Sequence, residues 1–195
     1  MTKRQHTPLD LLRVLLTAMA CATASVAYSF EALISNERSG DLIHINQQGK
    51  TTHVVPLCNR PRGMTKGATA SDVVIACSDD NMIVIYDRSK RVITSTIESV
   101  PGAMNVSFHQ TTGRIIVTNE GIAQASVYEL DTGRLLAKLP TGLEPDGVVI
   151  TNDGQTIFVA SENAGLVHVF DGTSYQSKGL IRTNLRPRRI ALLDQ

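Results

Sequence analysis

The sequence runs to 195 residues, 42% hydrophobic and 19% charged, with three cysteines, no tryptophan and a formal net charge of +1. That composition supports one substantial core and excludes the disordered and fibrous classes. A balance so close to zero also gives no electrostatic basis for binding nucleic acid.

Lys3 and Arg4 precede an apolar segment over residues 11–26, and Ala22-Thr23-Ala24 and Ser25-Val26-Ala27 supply small residues for cleavage. The layout is that of a secretory signal peptide, residues 1–27. Arg13 interrupts the segment and no second long apolar run follows, which favours a removed signal over a retained membrane anchor. Ala18-Met19-Ala20 ahead of Cys21 fits a lipidation box poorly. Processing takes Lys3, Arg4, Arg13 and Asp10 from the 19 basic and 18 acidic residues and leaves a net charge near −1. The expected location is periplasmic or secreted. In that oxidising setting Cys58 and Cys77 either form a disulfide or stay as two buried thiols.

From residue 31 onward the chain consists of short apolar runs, rich in β-branched residues and too short for helices, separated by turn residues such as Asn152-Asp153-Gly154 and Thr132-Gly133-Arg134. Pro61, Pro101, Pro145 and Pro187 recur at intervals of 40, 44 and 42 residues. A period of about 40–45 residues carried by strands is the signature of propeller blades. The first strand of each unit is expected over 63–66, 103–109, 147–151 and 189–193. Second strands fall at 32–35, 73–77, 114–118 and 156–160, and third strands at 42–45, 82–86, 126–130 and 166–170. Fourth strands fall at 52–57, 91–97, 135–139 and 178–182. The expected fold is an all-β β-propeller of four-stranded antiparallel blades, with about four blades' worth of strands. Blade 1 covers 31–58 and is completed by 187–195; blade 2 covers 61–98, blade 3 covers 101–142 and blade 4 covers 145–184. Such closure would hide the sheet edges. Two chains sharing one eight-bladed ring, or an array that does not close, are the other arrangements.

P-x-G followed by an apolar strand, then I-F-V-A-S-E-N and L-V-H-V-F-D, resembles the YVTN-type β-propeller repeat, a WD40-like repeat. A-L-I-S-N-E-R-S-G-D-L-I-H-I, N-R-P-R-G-M and V-V-I-A-C-S-D-D-N look most like the periplasmic propeller proteins associated with pyrroloquinoline-quinone (PQQ)-dependent catabolism of alcohols. The resemblance covers residues 31–195 and implies an accessory role in that pathway. Members of that family are similar to seven-bladed propellers, so this chain looks like a shortened member. The YVTN tetrapeptide is degenerate here: I-S-N-E, I-A-C-S, V-T-N-E and V-A-S-E take its place. Propeller dehydrogenases that bind PQQ resemble one another in tryptophan docking motifs; this chain has no tryptophan, so no cofactor is assigned.

Strand direction reverses at every step of a meander, so the second-to-third loops and the fourth-to-first connections of all blades share one mouth. The residues expected on that ligand- or partner-binding face are Glu37, Arg62, Asp79, Asp80, Glu120, Asp146, Glu162 and Arg188. Carboxylate and guanidinium groups there suit a partner protein or a small anionic ligand, with Arg62 and Arg188 as bidentate contacts. The alternative is that the acids cap loops and pair with the next blade's arginines to register the blades. His44 and His168 share one third-strand position, which packing explains better than metal binding. No catalytic residue is assigned. The leading expectation is a periplasmic binding or scaffold protein without catalysis of its own. The rivals are a lactonase-like hydrolytic propeller using mouth carboxylates such as Glu37 and Glu120, and a truncated propeller with no independent function. A homodimer completing a ring is a further expectation.

Overall fold

The computed structural model describes residues 31–193. The signal-peptide reading, on residues 1–27, lies outside the described residues. Strands β1 (Glu31–Asn36), β2 (Asp41–Asn46) and β3 (Thr51–Pro56) form the first sheet. The second contains β4 (Pro61–Lys66), β5 (Asp72–Cys77), β6 (Met82–Asp87) and β7 (Val92–Ile97). The third contains β8 (Ala103–His109), β9 (Arg114–Asn119), β10 (Gln124–Glu129) and β11 (Leu135–Pro140). The fourth contains β12 (Pro145–Ile150), β13 (Thr156–Ser161), β14 (Leu166–Asp171) and β15 (Ser177–Arg182). Every sheet is an antiparallel meander, and a single 3-10 turn at Glu120–Ile122 is the helical element among the described residues.

The turns follow from local chemistry. Asp87 and Asp171 end their strands, and each accepts hydrogen bonds from backbone N–H groups two and three residues on, at 2.8–3.0 Å. At Asp87 the Ser89 hydroxyl first and then the Lys90 N–H hold the carboxyl well below the usual carboxylate range, and at Asp171 the Ser174 and Thr173 N–H groups lower it. The bond between the third and fourth strand of every sheet shifts register at one equivalent place: His44/Ile45, Ile85/Tyr86, Val127/Tyr128 and Val169/Phe170. A repeated bulge gives every blade the same added twist at its rim.

Alternating residues of each blade then face two neighbours. Val74, Ala76, Ile83, Ile85 and Ile97 of the second blade pack on Val106, Ile115, Val117 and Tyr128 of the third. Ile116, Ala125, Val127 and Leu139 pack in the same way on Val148, Ile157, Val159 and Phe170 of the fourth. Leu33, Leu42 and Val55 of the first meet Val73, Ile75, Val84 and Tyr86 of the second. Each large aliphatic chain buried in this way stabilises the fold by roughly 1.5–3 kcal/mol.

The innermost strands approach closely. A Cβ on Gly63 of β4 would lie 2.8 Å from Cα of Asn105 on β8, and one on Gly147 of β12 would lie 3.1 Å from Cα of Arg189. Only glycine leaves room for the next backbone at this point. The same spacing shows where residues 187–193 go, and it corrects one expectation. They form no strand, and the first sheet has three strands among the described residues. Residues 187–193 do not complete blade 1; Arg188 and Arg189 lie against β12, at the place that the innermost strand of a following blade would take. Contact with Gly147 sets the place of Arg188 and Arg189, and among the described residues no strand lies beside them to pair with.

Candidate functional site at the mouth

Three connections into innermost strands share a backbone device. Arg60, Glu144 and Arg186, each directly before a proline, have φ of 55°, 52° and 63°. A left-handed conformation is rare for such residues, and a following proline normally drives its predecessor to extended backbone. The carbonyls of Arg60 and Glu144 accept hydrogen bonds from the N–H of Ser78 and Glu162 at 3.0 and 2.8 Å. These bonds tie the connection to the blade's own second-to-third loop.

The structure gathers three of the expected residues round Arg60, which lines both depressions of the mouth. Its Nε donates to Glu37 at 2.9 Å, and its guanidinium lies 3.6 Å from Asp79 and 3.9 Å from Glu120. Arg62 is largely buried; its Nη1 lies 2.6 Å from Glu37 and its Nε donates to the Met104 sulfur at 3.1 Å. The hydrogen bond from Arg60, opposed next by burial and then reinforced by Arg62, holds the Glu37 carboxyl below the usual carboxylate range. Asp80 is set apart: it accepts from the backbone N–H and the side-chain amide of Asn59, both at 2.7 Å.

Asp146, Glu162 and Arg188 form a second cluster at the edge of the fourth blade. The Arg188 Nε lies 3.1 Å from Glu162 and 3.4 Å from Asp146, and Arg186 closes on the other side of Glu162. Both carboxylates are buried, at 3% and 4% exposure. Oδ1 of Asp146 has no hydrogen-bond partner and faces the Arg189 guanidinium at 3.6 Å. Arg62 and Arg188, expected to hold an anion, are therefore each engaged with carboxylates of this chain.

What remains open at the mouth is acidic. A depression of 530 Å³ is lined by Arg60, Ser78, Asp79, Asn81, Gly102, Glu120, Gly121 and Glu144. A neighbouring one of 510 Å³ adds Glu37, Arg38 and Asn59. Cys58, which follows β3, is disulfide-bonded to Cys77 at the end of β5, with 6.1 Å between the Cα atoms. The bond staples the first blade to the second beside this face. Arg38 and Asn81 were outside the expected set. Asn81 donates no long-range signal in the sequence, yet its side-chain oxygen accepts from the Gly102 N–H at 2.8 Å and shapes the floor.

The histidines serve the blades. His44 is fully buried, with Nδ1 2.6 Å from Glu31 and Nε2 2.8 Å from the Tyr86 hydroxyl. His168 Nε2 accepts the Gly142 N–H at 2.8 Å, so this nitrogen carries no proton. Among the described residues, no group of three or more His, Cys, Asp or Glu side chains could hold a metal ion.

No protein-family profile and no curated protein matches this sequence. Among solved structures, the chain is similar to hydrazine synthase of Kuenenia stuttgartiensis, with a TM-score of 0.71 and 16% identity. It is also similar to a functionally unknown protein of Desulfotomaculum acetoxidans, with a TM-score of 0.71 and 16% identity. The fold is that of a β-propeller. The matches cover 80% and 83% of this chain but 48% and 55% of those chains, so the chain spans about half the length of each neighbour. At that identity the likeness concerns the fold alone.

Proposed function

We propose that this propeller is a periplasmic or secreted binding protein without catalysis of its own, and that its acidic mouth receives a cation-bearing segment of a partner protein. One observation carries the reading: Arg62 and Arg188, the groups a small anion would need, already bond carboxylates of this chain, while the Asp79 side chain stays 59% exposed. Glu120 and Glu144 add to the open acidic rim. Exposed carboxylates flanking a depression steer a basic partner and set its orientation. The signal-like residues 1–27 and the disulfide between Cys58 and Cys77 support an oxidising compartment. The resemblance to propellers of PQQ-dependent catabolism supports an accessory place beside alcohol oxidation.

The test uses a lysine-rich peptide and a small dicarboxylate as probes, titrated calorimetrically into the purified chain. The peptide is expected to bind with an affinity that falls with salt and that Asp79→Asn combined with Glu144→Gln weakens about tenfold, which corresponds to two lost charge contacts. Tight binding of the dicarboxylate that Arg62→Gln abolishes would overturn the reading. So would chelator-sensitive lactone hydrolysis that Glu37→Ala or Glu120→Ala removes.

A further inference from the structure

The two outermost blades each leave one apolar face open. On the fourth, Phe158 pairs across the sheet with Val149 and Val169, and Ala160 with Val167, which pairs with Ile181. None of the corresponding residues of the second blade, Val74, Ala76, Ile83, Ile85 and Ile97, is more than 8% exposed. Phe158, Val167 and Val169 are only part-buried, and Ile181 is 49% exposed. On the first blade, Ile34 pairs with Ile43, which pairs with Val54, and Ala32 pairs with Ile45. This face corresponds to the buried Val73-side faces Ile115 with Val117 and Ile157 with Val159, yet Ile34 is 45% and Val54 54% exposed.

These faces are complementary by internal precedent. Three times within the chain, a face of the fourth-blade kind docks on a face of the first-blade kind. The strand inventory fits in the same way. The first sheet has only its second, third and fourth strands among the described residues, so the axis-side edge of β1 has no strand beside it there. Residues 187–193 lie where an innermost strand belongs and have no sheet. The register follows from the repeat. Pro145 pairs with Ser161, Val148 with Val159 and Ile150 with Ile157. At a spacing of 42 residues the equivalent partners are Pro187 with Asn36, Ile190 with Ile34 and Leu192 with Ala32.

We propose that a second copy of this chain docks head to tail on the fourth blade, adding its β1 to residues 187–193 and covering the open apolar face. One heterologous contact then repeats to close a two-chain, eight-bladed ring, which removes both sheet edges. The contact touches the mouth only at the Arg188 edge and leaves the depression of Asp79, Glu120 and Glu144 free, so it stands independently of what that depression binds.

Light scattering after size exclusion tests it. The purified chain is expected at twice the mass of one chain at micromolar concentration. Ile34→Lys and Ile181→Lys, both at exposed positions that leave the in-chain cores intact, each halve that mass while circular dichroism stays unchanged. An equimolar mixture of the two variants regains a two-chain species, since one of its two contacts is unaltered. As a second measurement, chains carrying Ile34→Cys and chains carrying Ile190→Cys are mixed and oxidised, and a disulfide-linked pair is expected on a non-reducing gel. A monodisperse monomer overturns the proposal, as does a dimer that both lysine variants leave intact.

Discussion

Glu37 of the first blade lies 2.6 Å from the Arg62 guanidinium at the start of the second, and the same carboxylate accepts from Arg60 at 2.9 Å. The relation repeats at the far edge, where Glu162 meets Arg186 and Arg188. The acids of one blade thus register the connection into the next. The device is absent at the two middle boundaries: the connection at Glu98–Gly102 carries no arginine, and Glu120 faces a connection that carries Glu144 and Asp146. That substitution of acid for arginine is what makes the mouth acidic. Two hydroxyls repeat the blade-to-blade link: Ser35 donates to the Arg62 carbonyl at 2.7 Å and Thr118 to the Asp146 carbonyl at 2.9 Å.

Glu37→Gln is expected to cost under about 1 kcal/mol in a denaturant titration, because the pair is half exposed and solvent screens it. The cost should shrink further in high salt. The sign with pH follows from the depressed carboxyl: its contribution is present above the ordinary value of 4.5 and is lost as pH falls through the lower folded value. The gap between wild type and variant therefore narrows below pH 4.5.

Gly63→Ala should be costlier, since the new Cβ meets the Asn105 backbone at 2.8 Å and two blades would have to separate. About 1–3 kcal/mol is expected, as for overpacking elsewhere. Gly121→Ala is the control: a Cβ there meets nothing within 4 Å, and the variant should unfold within a few tenths of a kcal/mol of wild type. Equal effects at the two sites would contradict the close approach of β4 and β8.

Strand positions were legible because each run is apolar, β-branched and closed by a turn residue with its own local bond, as at Asp87 and Asp171. The proline period located the innermost strands, which begin at Pro61 and Pro145. What the period does not encode is the rotation between blades, set by cores such as Ile116 on Ile157, so the sheet that residues 187–193 approach was illegible. In the same way the mouth was legible as a face and not as a charge. Nothing in the spacing shows that Arg60, before its proline, adopts φ of 55° and takes the centre among three carboxylates. The contacts of His44 with Glu31 and Tyr86 join three strands from two blades and leave no local pattern at all.

The disulfide between Cys58 and Cys77 spans 19 residues and crosses a blade boundary. Closing a loop of that size removes unfolded-chain entropy worth about 3 kcal/mol. Cys58→Ala with Cys77→Ala is expected to lower stability by roughly that amount. A calorimetric scan of wild type with reductant should show a matching fall in Tm. Unchanged unfolding in both experiments would mean that the bond contributes nothing to the fold.

His168 supplies the last expectation, and its direction differs from that of the usual surface histidine. Burial holds its imidazole below the ordinary value of 6.5, and Nε2 is occupied in accepting the Gly142 N–H. The folded state thus resists a proton that the unfolded state takes up. Stability from this group is complete above pH 6.5 and declines as pH falls from there toward the folded value, below which it levels off. His168→Gln keeps an acceptor, the amide oxygen, near Gly142 and has no titration in this range. Denaturant midpoints measured between pH 7.5 and 5 should therefore fall more steeply for wild type than for the variant, with the two curves converging toward the acid end. A variant curve parallel to wild type would show that the imidazole takes up its proton equally in the folded and unfolded states, and that Nε2 is not held in accepting from Gly142.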